Sequence, residues 1–140
     1  MIIVEREISE YTHHKIIVGI FENTEKANKA KKLYIEYCKD NDKWSEQAYR
    51  TVSLNDDVII SDVSEILEGD KETIIDDLYV ISYFMEGFGQ ETRITEKIFI
   101  DSNDAKKYVK LKESEEPEYE PCWYETNVIR VNKIYFKELE

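Results

Sequence analysis

The chain has 140 residues, 31 acidic and 19 basic, for a formal net charge of -12. That balance disfavours direct contact with a phosphate backbone or an anionic membrane surface, since both need a surplus of Lys and Arg. Hydrophobic residues at 41% and aromatics at 12% argue against disorder, and the length fits one domain or two small, intimately packed halves.

From the start, Met1-Ile2-Ile3-Val4-Glu5-Arg6 lacks the basic opening and long apolar stretch of a signal peptide. No apolar run reaches the ~18 residues of a membrane span. A reducing, cytoplasmic setting is expected, with Cys38 and Cys122 as unpaired thiols. Ile2 to Ile8 interleaves β-branched residues with charges and predicts a strand. Glu10 to His14 turns the chain. His13 and His14 are its only histidines, and adjacent residues of an extended chain point to opposite sides, so they read as turn residues rather than a metal pair.

Lys15 to Phe21 predicts a second strand. Thr24 is the expected N-cap of a helix whose stripe is Ala27, Ala30, Leu33, Tyr34, Tyr37 and Cys38. Gln47 to Leu54 predicts a third strand. Asp62 to Gly69 opens on D-x-x-E and closes on Gly, the pattern of a short capped helix. Leu78 to Met85 and Arg93 to Ile100 predict strands joined by a hairpin through Glu86-Gly87-Phe88-Gly89-Gln90. Ser102 is the expected cap of a shorter helix with Ala105, Tyr108 and Val109 inward. Glu113 to Pro121 predicts a loop, because both prolines lie there. Trp123 to Val131 predicts the last strand, which Ile134 to Phe136 would extend.

A shift of 78 residues lays Ile20-Phe21 on Ile98-Phe99, Ala27 on Ala105 and Leu33 on Leu111. With one inserted residue, Trp44 falls on Trp123 and Val52 on Val131. Each half of the chain carries -6. These matches predict an α+β fold of tandem duplicated ββαβ units, with antiparallel sheets and the helices packed on one face. The first unit would span 1–54, a connector with a short helix 55–77, and the second unit 78–140.

Charge is expected to be segregated. Segment 24–43 is net +2 and segment 102–112 net +3, which leaves -17 for the remainder of a chain carrying -12. With both helices on one sheet face, the opposite face and the loop edges would hold the negative field, and such a field attracts basic partners. The densest acidic stretch, Glu113, Glu115, Glu116, Glu118 and Glu120, encloses Tyr119 and runs into Tyr124. These seven residues form the candidate partner-binding site, since carboxylates pair with Arg and Lys and aromatics supply contact area. The plainer reading is a solvated loop beside Trp123 as a core anchor.

Catalytic chemistry finds little footing. Asp101-Ser102-Asn103-Asp104 begins like a calcium loop but lacks its Gly and terminal Glu, so helix capping explains it better. Asp56-Asp57 and Asp76-Asp77 are carboxylate pairs of the sort that 31 acids must produce. Gly87-Phe88-Gly89 lacks the strand-to-helix context of a phosphate loop. No catalytic, cofactor-binding or metal-ligating residue is assigned, and a non-enzymatic protein is expected.

The run Gly19-Ile20-Phe21 … Thr24-Glu25-Lys26-Ala27, a strand followed by a helix, resembles small proteins of unknown function from phages and mobile elements of low-GC bacteria. Lys97 stands where a second copy would carry Gly19. The resemblance implies a phage-borne accessory protein, of which many small acidic examples are anti-defence inhibitors of the anti-CRISPR or anti-restriction kind, some of them nucleic-acid mimics. The function this implies is inhibition of a basic nucleic-acid-binding host protein in the bacterial cytosol, by a monomer or homodimer that touches neither nucleic acid nor membrane itself. The alternatives are a small-ligand sponge or sensor, with a pocket between the units lined by Tyr79, Tyr83 and Tyr135, and a structural protein acting as an oligomer.

Overall fold

A computed structural model of the chain describes residues 1–8, 14–41, 54–70, 75–87, 90–115 and 121–137. Within them the fold is mixed α+β, with two sheets and three helices. Strands β1 (Ile2–Glu7) and β2 (Lys15–Phe21) pair antiparallel and lead into helix α1 (Thr24–Asn41). A single helical turn, α2 (Leu54–Asp57), precedes β3 (Val58–Asp62), which pairs antiparallel with β1. The chain then crosses to the second sheet through β4 (Leu67–Glu68), β5 (Asp77–Gly87), β6 (Gln90–Phe99), helix α3 (Ser102–Glu115) and β7 (Cys122–Arg130). The sheet orders are β2-β1-β3 and β4-β6-β5-β7.

The alternation of apolar residues along these strands creates four layers. Ile3, Ile17 and Ile20 of the first sheet meet Leu78, Val80, Ile98 and Ile129 of the second in one buried cluster. The opposite face of the first sheet, with Val4, Val18, Phe21 and Val58, buries Ala27, Ala30, Tyr34 and Cys38 of α1. The opposite face of the second, with Ile81 and Phe99, packs on Ala105, Tyr108 and Val109 of α3. The helices therefore cover two opposite outer faces, not one. The reason is that both sheets are apolar on both sides, so each needs the other sheet and a helix to keep water out.

Both hairpins carry a register shift, between Val4 and Glu5 in β1 and between Ile81 and Ser82 in β5. Ile2 lies opposite Phe21 and Tyr79 opposite Phe99, so the first strands of the two hairpins, β1 and β5, match at an offset of 77 rather than 78. The single residue matters, since a slip of one exchanges the faces of a strand. At 77, Ile3 matches Val80 between the sheets, and Val4 matches Ile81 against a helix.

Several local expectations shift. The caps are Asn23 and Asp101, one residue before Thr24 and Ser102. Asn23 Oδ1 accepts from Lys26 N at 2.9 Å, while Asp101 Oδ1 accepts from Asn103 N at 2.7 Å and Asp104 N at 3.1 Å. Leu33 is exposed, unlike the rest of its expected stripe. The strand expected over Gln47 to Leu54, with Trp44 and Val52, lies outside the described residues except for Leu54, which opens α2. The third strand of the first sheet is β3 instead.

Asp62 to Gly69 forms one turn and the short β4 rather than a helix. Leu67 N closes that turn on Val63 O at 3.0 Å, and β4 then pairs parallel with β6. Gly69 follows at φ 132°, a conformation suited to glycine, with Ile100 packed where a side chain would stand. Ile134 to Phe136 do not prolong β7. They run beside β2, where Tyr135 N donates to Val18 O at 2.7 Å.

Candidate functional site

Helix α3 continues to Glu115, because no proline intervenes before position 117. Glu113 and Glu115 are consequently exposed residues of its last turn, not of a loop. Lys112 Nζ lies 4.0 Å from Glu115, a loose surface pair. Glu116, Glu118, Tyr119 and Glu120 lie outside the described residues.

Tyr124 sits on β7 directly opposite Tyr83, their rings 4.8 Å apart. Trp123, its neighbour, points to the other face and stacks on Phe84 at 5.2 Å with planes parallel to within 1°. The indole N–H donates to a Glu125 carboxylate oxygen at 3.3 Å. Both aromatics are half-buried and already in contact with a neighbouring ring. The structure thus brings Glu113 and Glu115 to the end of α3 that precedes β7, with Tyr124 half-covered rather than standing free. Trp123 belongs to none of the buried clusters, so it is not the core anchor of the plainer reading.

A second acidic region was overlooked at the level of sequence. Residues 54–77 contain nine acids and one lysine, a signal that net charge per segment would have revealed. The β3–β4 crossing places Asp62, Glu65, Glu68 and Asp70, all exposed, along one side of the sandwich. Asp62 accepts from Ser64 N at 2.8 Å and from its hydroxyl, and these bonds hold its carboxyl below the usual carboxylate range. Glu68 pairs with Lys97 at 2.7 Å.

Cations gather on the outer layers. Helix α1 is net +2 and α3 net +1 by residue count, which leaves -15 for the rest of a chain of -12. The smaller figure than the expected -17 follows from Glu113 and Glu115 joining α3. The expected open acidic sheet face does not exist, since the inner faces cover each other. The negative charge lies at edges and crossings.

Between the sheets, Arg93 and Glu5 form an ion pair at 3.2 Å with both side chains buried. Arg93 also donates to the Ser82 hydroxyl (2.9 Å), the Lys15 carbonyl (3.0 Å) and the Thr95 hydroxyl (3.1 Å). Thr95 in turn donates to Glu5 at 2.8 Å. Burial lowers the Arg93 pKa, and the Glu5 charge opposes that shift. Every partner is used within the cluster, so the network reads as a join between sheets rather than a reactive site. Nearby, His14 is buried with Nδ1 3.0 Å from Glu91 O, which ties the start of β2 to the second hairpin. His13 lies outside the described residues.

The tyrosines expected to line a pocket do not meet. Tyr79 packs under α3, Tyr83 lies against Tyr124, and Tyr135 joins the cluster between the sheets. A cavity lies elsewhere. It is an open groove of about 470 Å³ between α3 and the β4–β6 edge, with Lys97, Lys107, Tyr108 and Leu111 among its walls. Burial, reinforced by Glu96, pushes the Tyr108 hydroxyl up to about 12, and it donates to Glu96 at 3.1 Å. Comparison with family models, curated proteins and solved structures finds no match for the chain.

Proposed function

We propose that this is a non-enzymatic acidic protein, of the phage anti-defence type, that binds a basic nucleic-acid-binding protein of the host and blocks its nucleic-acid surface. The observation that carries this reading is the segregation of charge. Carboxylates line the β3–β4 crossing and the last turn of α3, while nine of the fifteen lysines sit on the outer helices. A basic cleft approaching an edge meets carboxylates with few compensating cations, and long-range attraction raises the encounter rate. The matched plan of the two sheets supports a tandem ββαβ duplication, in which each unit supplies a hairpin, a helix and a third antiparallel strand.

Displacement tests the reading. A fluorescent DNA duplex is bound to basic DNA-binding proteins from the host, and the full chain is titrated in at rising salt. Release of DNA with an affinity that falls steeply as salt rises is expected. Absence of displacement at low salt, or displacement indifferent to salt, overturns it.

The groove under α3 favours a second reading, a small-ligand binder, at a place other than the expected tyrosine pocket. Lys97 and Lys107 in its wall are balanced by Glu68 and Asp104, which suits a small compound carrying both charges beside the Tyr108 ring. Co-purified ligand released on denaturation and identified by mass spectrometry would support it.

A further inference from the structure

We propose that the exposed edge of β7 is the docking site of this chain, and that its occupant is an extended basic segment of the partner, added as a further strand of the second sheet. The proposal rests on the partner being basic, as argued above. Three of the four sheet edges differ from β7. The tail covers β2 through Asn132 N to Ile20 O and Tyr135 N to Val18 O, β4 covers the Ile98–Phe99 end of β6 while the remainder of that strand carries Lys97, a guarding residue, and β3 has only five residues. β7 has nine, and among the described residues it pairs only with β5.

The hydrogen-bond parity is fixed by two contacts, Val131 N to Asp76 O at 2.8 Å and Glu86 N to Pro121 O at 3.0 Å. In an antiparallel pair these make the odd-numbered residues of β7 face β5, so the even-numbered ones turn their N–H and C=O outward. Arg130 confirms the parity, because its outward N–H donates to the Tyr135 hydroxyl at 3.0 Å. Among the described residues Thr126 and Val128 have no such cover, and Val128 is 55% exposed.

Open edges are ordinarily guarded by lysine, proline or a bulge. β7 contains no Lys or Pro, and its pairing with β5 runs without a register shift. Charge selects the occupant. Glu125 is exposed on the strand, Glu113 and Glu115 end the helix before it, and at its far end Asp76 and Asp77 outnumber Arg130, the strand's single cation. A second copy would bring another -12 against this edge, with Glu125 near Glu125. A lysine- or arginine-bearing strand instead finds carboxylates beside main-chain donors and acceptors, the recognition mode of strand addition.

The test uses the full chain and a fluorescent peptide alternating Lys and Val. Binding is read by anisotropy, and amide exchange by NMR. The peptide should bind and slow exchange at Thr126 and Val128. Methylating alternate backbone nitrogens of the peptide, or Val128→Pro in the chain, should weaken binding by about tenfold through loss of main-chain bonds.

Equal binding of the methylated peptide, or binding that leaves those two amides unprotected, overturns strand addition. A peptide that does not bind, from a chain that still displaces DNA from its basic partner, also overturns strand addition and leaves the function intact. Failure of DNA displacement strikes the functional reading instead. Concentration-dependent dimers abolished by Val128→Pro would assign the edge to a second copy and overturn the proposal.

Discussion

Arg93 is the residue on which the two sheets agree. It lies on β6 of the second sheet, and its acceptors include Glu5 on β1 and the Lys15 carbonyl on β2 of the first. Removing one member of a buried ion pair strands the other, at a cost of about 3–5 kcal/mol. Glu5→Gln should therefore destabilise the chain in urea unfolding by about that much, whereas Glu5→Leu with Arg93→Met should lose far less than the two single changes added together.

Tyr34 gives a second expectation. It is buried, and desolvation raises its hydroxyl to about 12 from an ordinary 10.0. The folded state then holds this proton more tightly than the unfolded chain. The associated stability is complete below pH 10 and is lost as pH rises toward about 12. Unfolding midpoints measured across that window should fall, and Tyr34→Phe should shallow the fall. Tyr34 was legible as part of the inward stripe of α1, whereas the buried ion pair was not. Glu5 and Arg93 occupy strand positions where interleaved charges read as solvated, and only the packing of a second sheet over them reverses that.

At the scale of elements, each helix begins where a side chain can accept its orphan N–H groups. Asn23→Ala and Asp101→Ala should each cost about 1 kcal/mol, while Thr24→Ala and Ser102→Ala should cost much less, as thermal unfolding can show. Gly19 illustrates a constraint with a remote source. A Cβ there would meet the Lys133 carbonyl of the tail at 2.5 Å and the Phe21 ring at 2.8 Å. Gly19→Ala should therefore loosen the tail from β2, seen as faster amide exchange at Tyr135.

Strands β1, β2, β5 and β6 and helix α1 were readable, because alternation and a three-to-four spacing are local signals. The third strand of the first sheet was not. Val58 to Asp62 looks like a connector until β1 presents it an edge to pair with. The one-residue difference between offsets 78 and 77 escaped for a related reason, since identity of residues does not reveal which face each strand turns to its neighbour. The candidate site was legible as charge but not as shape. Glu113 and Glu115 continue a helix, and Tyr124 is half-buried beside Tyr83 and the cluster under α3.

For the whole molecule, the decisive feature is the cluster shared by the sheets. Ile3, Ile17 and Ile20 are buried in one cluster with Leu78, Val80, Ile98 and Ile129 of the second sheet and the crossing residues Val63 and Leu67, with Tyr135 and other partly buried residues at its rim. A three-stranded sheet with one helix would expose that face alone, and small sheets of this kind are marginal. The two halves should therefore unfold together. Far-UV circular dichroism and tyrosine fluorescence should trace one coincident transition. Ile98→Ala, made in the second sheet, empties space against the first and should lower that single transition by about 2–5 kcal/mol rather than split it. A fragment of residues 1–70 should lack a cooperative transition, because its inner sheet face has lost its partner. If the fragment folds with a transition of its own, the halves are independent, and the buried join through Arg93 and the isoleucines is a contact between domains rather than the core of one.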